Sequence, residues 1–302
     1  MEGQCSPPMG PPLPLKVAIV GFGQLGQFLY KRIAARSNGI VVTAVWNRTA
    51  EKVVEAGVPD TVIVRDLRDL VNRDVDVIIE VAHPEIYKQH GASWLQHAAL
   101  FVGSPTAFAD AVVEGQLRDL SVTSHHAVFL PVGALWGAQD IAKMGDRGTL
   151  TALSITMRKP AASMRLEEPL ESALQAFMTS TDQVTCVLFD GSVRALCPMA
   201  PNNVNTMALA ALASGSQVGM DRTRARLIAE KSLEAHVIEI EVVGRCLAGR
   251  SDPFRVTTVR YNPCDPAAVT ASATYESFYS SLLNVTSTLW SSHKCKGGFV
   301  FC

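Results

Sequence analysis

Residues Leu15–Ala34, LKVAIVGFGQLGQFLYKRIA, decide how the chain is read. Leu15 to Val20 form an apolar run broken by one lysine, which suits a buried strand. Gly21, Gly23 and Gly26 then stand at G-x-G-x-x-G spacing, and a helical composition follows. The bare string is a weak signal, but between a strand and a helix each glycine has a task. The first permits the tight turn, the second lets the backbone approach a pyrophosphate, and the third lets helix and strand pack closely. Gln24 and Leu25 open the helix, where free amide N–H groups and the helix dipole form an anion site. Gly21, Gly23, Gln24, Leu25 and Gly26 are therefore read as a dinucleotide-binding turn. A glycine-rich turn that binds nothing is the competing reading, and the repeated strand–helix units downstream weigh against it.

Outward from that stretch the pattern alternates. Strands are predicted at about 40–46, 61–64, 75–82, 99–102 and 126–130, and helices at about 24–37, 50–56, 66–72, 84–97 and 107–120. Short apolar strands separated by helical patterns predict an α/β fold with a Rossmann-type doubly wound parallel sheet. A site selective for NAD ends its second strand in Asp or Glu about 20 residues beyond the glycines. Here that strand ends in Trp46-Asn47-Arg48-Thr49, without a carboxylate. Asn47 and Arg48 are read as cofactor-binding, because a guanidinium fork can hold a 2′-phosphate. NADP or NAD is the expected cofactor. That Arg48 merely caps a surface loop is the alternative.

After about residue 150 the pattern changes. Segments 150–157, 184–189 and 236–243 alternate like strands with one covered face, while 202–213 and 221–234 read as helices, so a second mixed α/β domain is expected. A helix at 271–283, after the strand-like FRVTTVRY, is expected to return to the first domain. The predicted division is a dinucleotide-binding domain at 15–132 and a substrate and dimerisation domain at 133–270. Residues 1–14, with five prolines and two glycines, read as a disordered tail, and 284–302 as an aperiodic, loose end.

At 302 residues the chain has room for both domains, and 48% hydrophobic with 18% charged residues describes a globular protein. No run approaches the roughly 18 apolar residues of a membrane span, and no leader with a charged and then an apolar region opens the chain. A cytoplasmic location is expected. The net charge of -1 argues against nucleic acid as a partner. Seven cysteines without CxxC spacing read as reduced structural thiols, so neither a disulfide frame nor a metal site is expected. His125 and His126 are adjacent and would point to opposite faces of a strand, which makes a poor metal pair.

Several stretches resemble the L-aspartate dehydrogenase family: EVAHPE (80–85), GASWLQHAALFVGSPTAFAD (91–110), PVGALWGAQDI (131–141), PNNVNTMALAALA (201–213), DRTRARLIAE (221–230) and HVIEIEVVG (236–244). The likeness covers about residues 15 to 283. It implies oxidative deamination of L-aspartate to iminoaspartate, then oxaloacetate and ammonia, by a homodimer. It also implies that Ala134 and Asn205 contact the cofactor. The residues agree for Ala134, which lies where a strand of the first domain ends, the edge at which open α/β sheets bind ligands. For Asn203 and Asn205 helix capping is the other reading.

The family's catalytic histidine position falls on Ile238 in an alignment without gaps. His236 is the nearest imidazole, on the same strand face but about 6–7 Å away, and is taken as the catalytic residue. A structural histidine is the alternative, and with it a dinucleotide-binding sensor or scaffold of little or no turnover; a reductase for another imine or ketone is the remaining rival. Ser104 and Thr106 lie near strand ends within reach of nicotinamide or substrate. Arg158-Lys159 is the pair expected to hold the substrate carboxylates, unless it is solvated surface charge.

Overall fold

A computed structural model describes residues 13–35, 39–246, 248–270, 272–291 and 297–302. The expected tail at 1–14 lies outside these residues except for Leu13 and Pro14, as do Cys5 and Cys295. Six strands are laid down first: β1 (Leu15–Val20), β2 (Ile40–Trp46), β3 (Ile63–Val64), β4 (Val77–Glu80), β5 (Ala99–Val102) and β6 (Ala127–Leu130). Five longer ones follow: β7 (Leu150–Pro160), β8 (Thr185–Ser192), β9 (Arg224–Glu230), β10 (Ala235–Cys246) and β11 (Pro253–Pro263). The last is β12 (Gly298–Phe301).

The first sheet has the order β12-β6-β5-β4-β1-β2-β3, and all its pairs are parallel. Its central strands alternate between two apolar cores, as the two-residue period requires. Val17, Ile19, Val77, Ile79, Phe101 and Phe129 share one core with Leu29 and Ile33 of the helix Gln24–Ala34 and with Phe278, Tyr279, Leu282 and Val285 of the helix Ser272–Ser291. Ala18, Val20, Ile78, Leu100, Val102, Val128 and Leu130 share the other with Trp94, Phe108 and Leu117. Helices on both faces make the sheet doubly wound.

The second sheet runs β11-β10-β7-β9-β8 and is mixed: β7 and β9 are parallel, the other pairs antiparallel. Leu153, Ile155 and Met157 of β7 and Ile238, Ile240 and Val242 of β10 join the same core as the buried helix Asn205–Ala213. β11 is an edge strand with exposed apolar side chains on both faces, Phe254 and Val256 on the side of Val242, Val259 and Tyr261 on the other. Among the described residues no helix is long and apolar enough to cross a membrane.

Two expectations are corrected. Half of the predicted helix at 221–234 is the strand β9. Its Arg, Ala and Leu residues favour a helix, but Arg224 and Arg226 turn outward while Ala225 and Leu227 are buried, and pairing with β7 and β8 overrides propensity. The end at 284–302 is not loose where it is described. The helix continues to Ser291, and β12 adds a parallel strand to the edge of β6 with Phe299 abreast of Val128. Phe299 packs on Phe108 at 5.1 Å beneath the Arg118 guanidinium at 4.2 Å, and Val132 N–H donates to the Cys302 carbonyl at 2.8 Å. Four residues after two glycines carry too little pattern to read as a strand; the open edge of β6 supplies the rest.

Candidate functional site

The site starts at the turn after β1. Gly21 has φ +104°, and its N–H donates to the Trp46 carbonyl at 2.8 Å. A Cβ on Gly21 would stand 2.8 Å from the Ala82 backbone, and one on Gly26 would stand 2.0 Å from the Gly21 carbonyl oxygen. These two glycines let strand, turn and helix close together. Gly23 differs: nothing lies within 4 Å of its missing Cβ, and it precedes a helix with no side-chain cap. That combination, an open approach to uncapped helix amides, fits a pyrophosphate.

Asn47, read as cofactor-binding, also makes hydrogen bonds within the fold. Its Oδ1 accepts from Phe22 N–H at 3.0 Å and its Nδ2 donates to the Thr49 carbonyl at 2.8 Å, so it ties the glycine turn to the loop after β2. Arg48 is exposed and makes no hydrogen bond or ion pair among the described residues. Gln24 accepts from the Tyr275 hydroxyl at 3.0 Å through its Oε1.

Glu80, at the end of β4, organises the neighbouring loops and was not singled out in the sequence. Its fully buried carboxylate accepts from the N–H groups of Ala82 (2.7 Å), His83 (2.8 Å) and Ser104 (3.1 Å), and from the Ser104 hydroxyl at 3.1 Å. Burial pushes its carboxyl up to about 7, against the pull of those hydrogen bonds. The signal for it was a lone acid closing the apolar run VDVIIE. Ser104 is thereby committed to Glu80, and the Thr106 hydroxyl donates to the Pro201 carbonyl at 2.7 Å.

Between the two sheets lies a cavity. Leu25, Ala134 and Asn205 line it on one side, and Lys159, His236 and Ile238 line it from the second sheet. Arg260 of β11 donates to the Gly133 carbonyl at 3.1 Å, fixing the strand end that carries Ala134. His236 and Ile238 are two residues apart on β10 and share the cavity face. The strand therefore brings an imidazole to this wall although the family's position holds isoleucine. His236 is 6% exposed, and its Nε2 has no hydrogen-bond partner among the described residues. Burial, with the nearby Lys159 charge second, pulls its imidazole down to about 4, against the Ala268 backbone. At neutral pH it is an uncharged ring, and in the free site a weak base.

The Arg158-Lys159 pair does not act as a pair, because adjacent strand residues face opposite ways. Arg158 turns out toward Glu230 at 3.7 Å. Lys159 is 2% exposed, and its Nζ donates to the Val269 carbonyl at 3.1 Å. Burial lowers its ammonium to about 7. Asn203 is a tie: its Oδ1 accepts from Arg165 N–H at 2.9 Å and its Nδ2 donates to the Ser163 carbonyl at 3.4 Å. Asn205 begins its helix with Oδ1 3.5 Å from the Thr106 hydroxyl. His125 sits in a turn at φ 61°, and His126 Nδ1 lies 2.8 Å from the Leu95 carbonyl.

Known proteins were compared with this chain. Residues 140–281 match the family model described as aspartate dehydrogenase, C-terminal, and residues 21–131 match the one described as homoserine dehydrogenase, NAD binding domain. An aspartate dehydrogenase domain-containing protein of Danio rerio is 44% identical over 272 residues, covering 89% of this chain and 94% of its own. An L-aspartate dehydrogenase of Methanococcus maripaludis is 28% identical over 270 residues, covering 86% and 93%. The crystal structure of aspartate dehydrogenase from Thermotoga maritima superposes with a TM-score of 0.64 at 18% identity, over 91% of this chain and 96% of that one, which shows a shared fold.

Proposed function

The chain belongs to the aspartate dehydrogenase family, and from that premise we propose that it oxidises L-aspartate to iminoaspartate, which water converts to oxaloacetate and ammonia. It is a dehydrogenase of the nicotinamide class, with NADP or NAD as cofactor. One observation carries the finer reading: a single cavity is lined by Ala134, Asn205 and His236, whose buried Nε2 has no hydrogen-bond partner among the described residues.

The residues divide the work. The amides at Gly23, Gln24 and Leu25 hold the pyrophosphate, and Arg48 is free to meet a 2′-phosphate. Ala134 and Asn205 would flank a bound nicotinamide, which would supply the acceptor for the substrate α-hydrogen and its electron pair. His236, neutral at physiological pH, takes a proton from the substrate ammonium so that nitrogen can form the imine. General acid–base help of this kind contributes about 10²–10⁴-fold. Residues 15–132 act as the nucleotide domain and 133–270 as the substrate domain. The exposed apolar side chains of the edge strand β11 mark where a second copy packs, and the proposed compartment is the cytoplasm.

Ile238 favours one rival reading, a nucleotide-binding protein without turnover. The test is an assay in both directions, L-aspartate with NADP⁺ or NAD⁺ and oxaloacetate plus ammonia with NADPH or NADH. Turnover dependent on aspartate and on both oxaloacetate and ammonia is the expected result. Nucleotide binding without turnover in either direction would favour the rival, and turnover of a different amino acid alone would move the substrate.

A further inference from the structure

We infer that Lys159 anchors a substrate carboxylate: it is the buried ammonium on the cavity wall, no carboxylate among the described residues lines that wall, and the ligand supplies the missing anion. The inference rests on the cavity being the substrate site and goes further by naming the residue that holds a carboxylate of the ligand. Simple dicarboxylates that lack the amino group should then bind as well.

The strands around Lys159 leave it unpaired. Ala229 is abreast of it on β9. On β10 the antiparallel register that sets Val237 against Arg158 continues to His236, whose charge is suppressed by burial. Cys264, beyond β11, is the other titratable neighbour, and burial raises its thiol. An ammonium has three donors, and the Val269 carbonyl takes one. Asn262, also on this wall, accepts at its Oδ1 from Arg260 Nε–H at 2.9 Å, while its Nδ2 makes no hydrogen bond among the described residues. A buried charge without its counter-ion is costly, and such groups persist where a site uses them.

A proton link follows. The free site holds Lys159 at about 7, while His236 is already neutral above pH 5 and the Cys264 thiol titrates above its usual range. A carboxylate binds the protonated amine, so above pH 7 binding takes up a proton. Affinity then falls about tenfold per pH unit until the pKa of the liganded amine is reached.

The test uses succinate as probe and the full chain saturated with NADP⁺, by calorimetry at pH 8 in buffers of different ionisation enthalpy. The wild type is expected to bind succinate with uptake of close to one proton. Lys159→Met should weaken binding roughly 10- to 100-fold and abolish the uptake. Lys159→Arg should keep affinity within about tenfold and also abolish the uptake, since a guanidinium stays charged. Unchanged binding in the Met variant, uptake that persists in either variant, or a wild type that binds no dicarboxylate would overturn the inference. A wild type that binds succinate with proton uptake yet oxidises no aspartate would leave the anchor standing and remove the proposed function. Aspartate turnover with an unchanged KM in Lys159→Met would remove the anchor alone.

Discussion

The turn after β1 is made of backbone, and the cavity wall on β7 and β10 is made of side chains. At the turn, selectivity for an anion comes from amides that the glycines leave uncovered, and every essential position lies between Gly21 and Gly26. On the wall, Lys159 and His236 belong to different strands and meet only once β7 and β10 pair. A backbone site costs little when a ligand is absent, because its N–H groups can turn to water. The wall carries a buried amine and an orphaned imidazole nitrogen whether or not substrate is present. Changes at the turn should therefore act on nucleotide affinity or on fold closure, and changes on the wall on chemistry and stability.

His236→Ala should break that division most visibly if it is wrong. Steady-state kinetics are expected to show aspartate turnover falling about 10²- to 10⁴-fold, with NADPH affinity by fluorescence titration within about threefold of wild type. Loss of nucleotide binding in this variant would mean that the wall and the turn are one structural unit.

Lys159→Met sharpens the contrast through stability. The folded-state value of about 7 lies below the ordinary 10.5, so the unfolded chain binds more protons between those limits. The penalty is complete below pH 7 and fades as pH rises toward 10.5. Denaturant melts at pH 7 should find the variant more stable by roughly 2–4 kcal/mol, with the gap narrowing by pH 9. A variant less stable at pH 7 would show that packing of the lysine stem outweighs the burial of its charge.

Two glycines test the turn against itself. Gly26→Ala places a methyl where 2.0 Å is available and should cost about 1–3 kcal/mol or more of stability. Gly23→Ala meets no neighbour, so its melting temperature should stay near wild type while nucleotide affinity falls about tenfold or more. The smallest effect is expected at the rim. Arg48→Ala should weaken NADPH by about three- to tenfold and leave NADH unchanged, as suits an exposed charged contact.

The same division governs what could be read from the sequence. Strand, glycine spacing and helix are local, so β1, the turn and the parallel sheet were legible, and so was the missing acid at Asn47-Arg48. Asn205 came from resemblance, since nothing in its local chemistry points at nicotinamide, and Ala134 from resemblance together with its place past the end of a sheet strand. Position alone did not reveal that Asn47 is spent on Phe22 N–H and Asn203 on Arg165 N–H, because both partners arrive from elsewhere in the fold. Burial of Lys159 was hidden by its neighbour Arg158: two basic residues in a row look like surface until the strand turns one inward. Arg224–Glu230 shows tertiary pairing defeating helix propensity, and Phe299 a strand specified by the edge it completes.

A crystal structure of the chain with NADP⁺ and succinate tests most directly whether turn and wall serve one reaction. The account predicts the pyrophosphate at the amides beside Gly23, the nicotinamide between Ala134 and Asn205, and a succinate carboxylate on Lys159 with His236 Nε2 facing the ligand. A nucleotide seated away from the glycine turn, or a nicotinamide ring turned away from the cavity that holds His236, would contradict it.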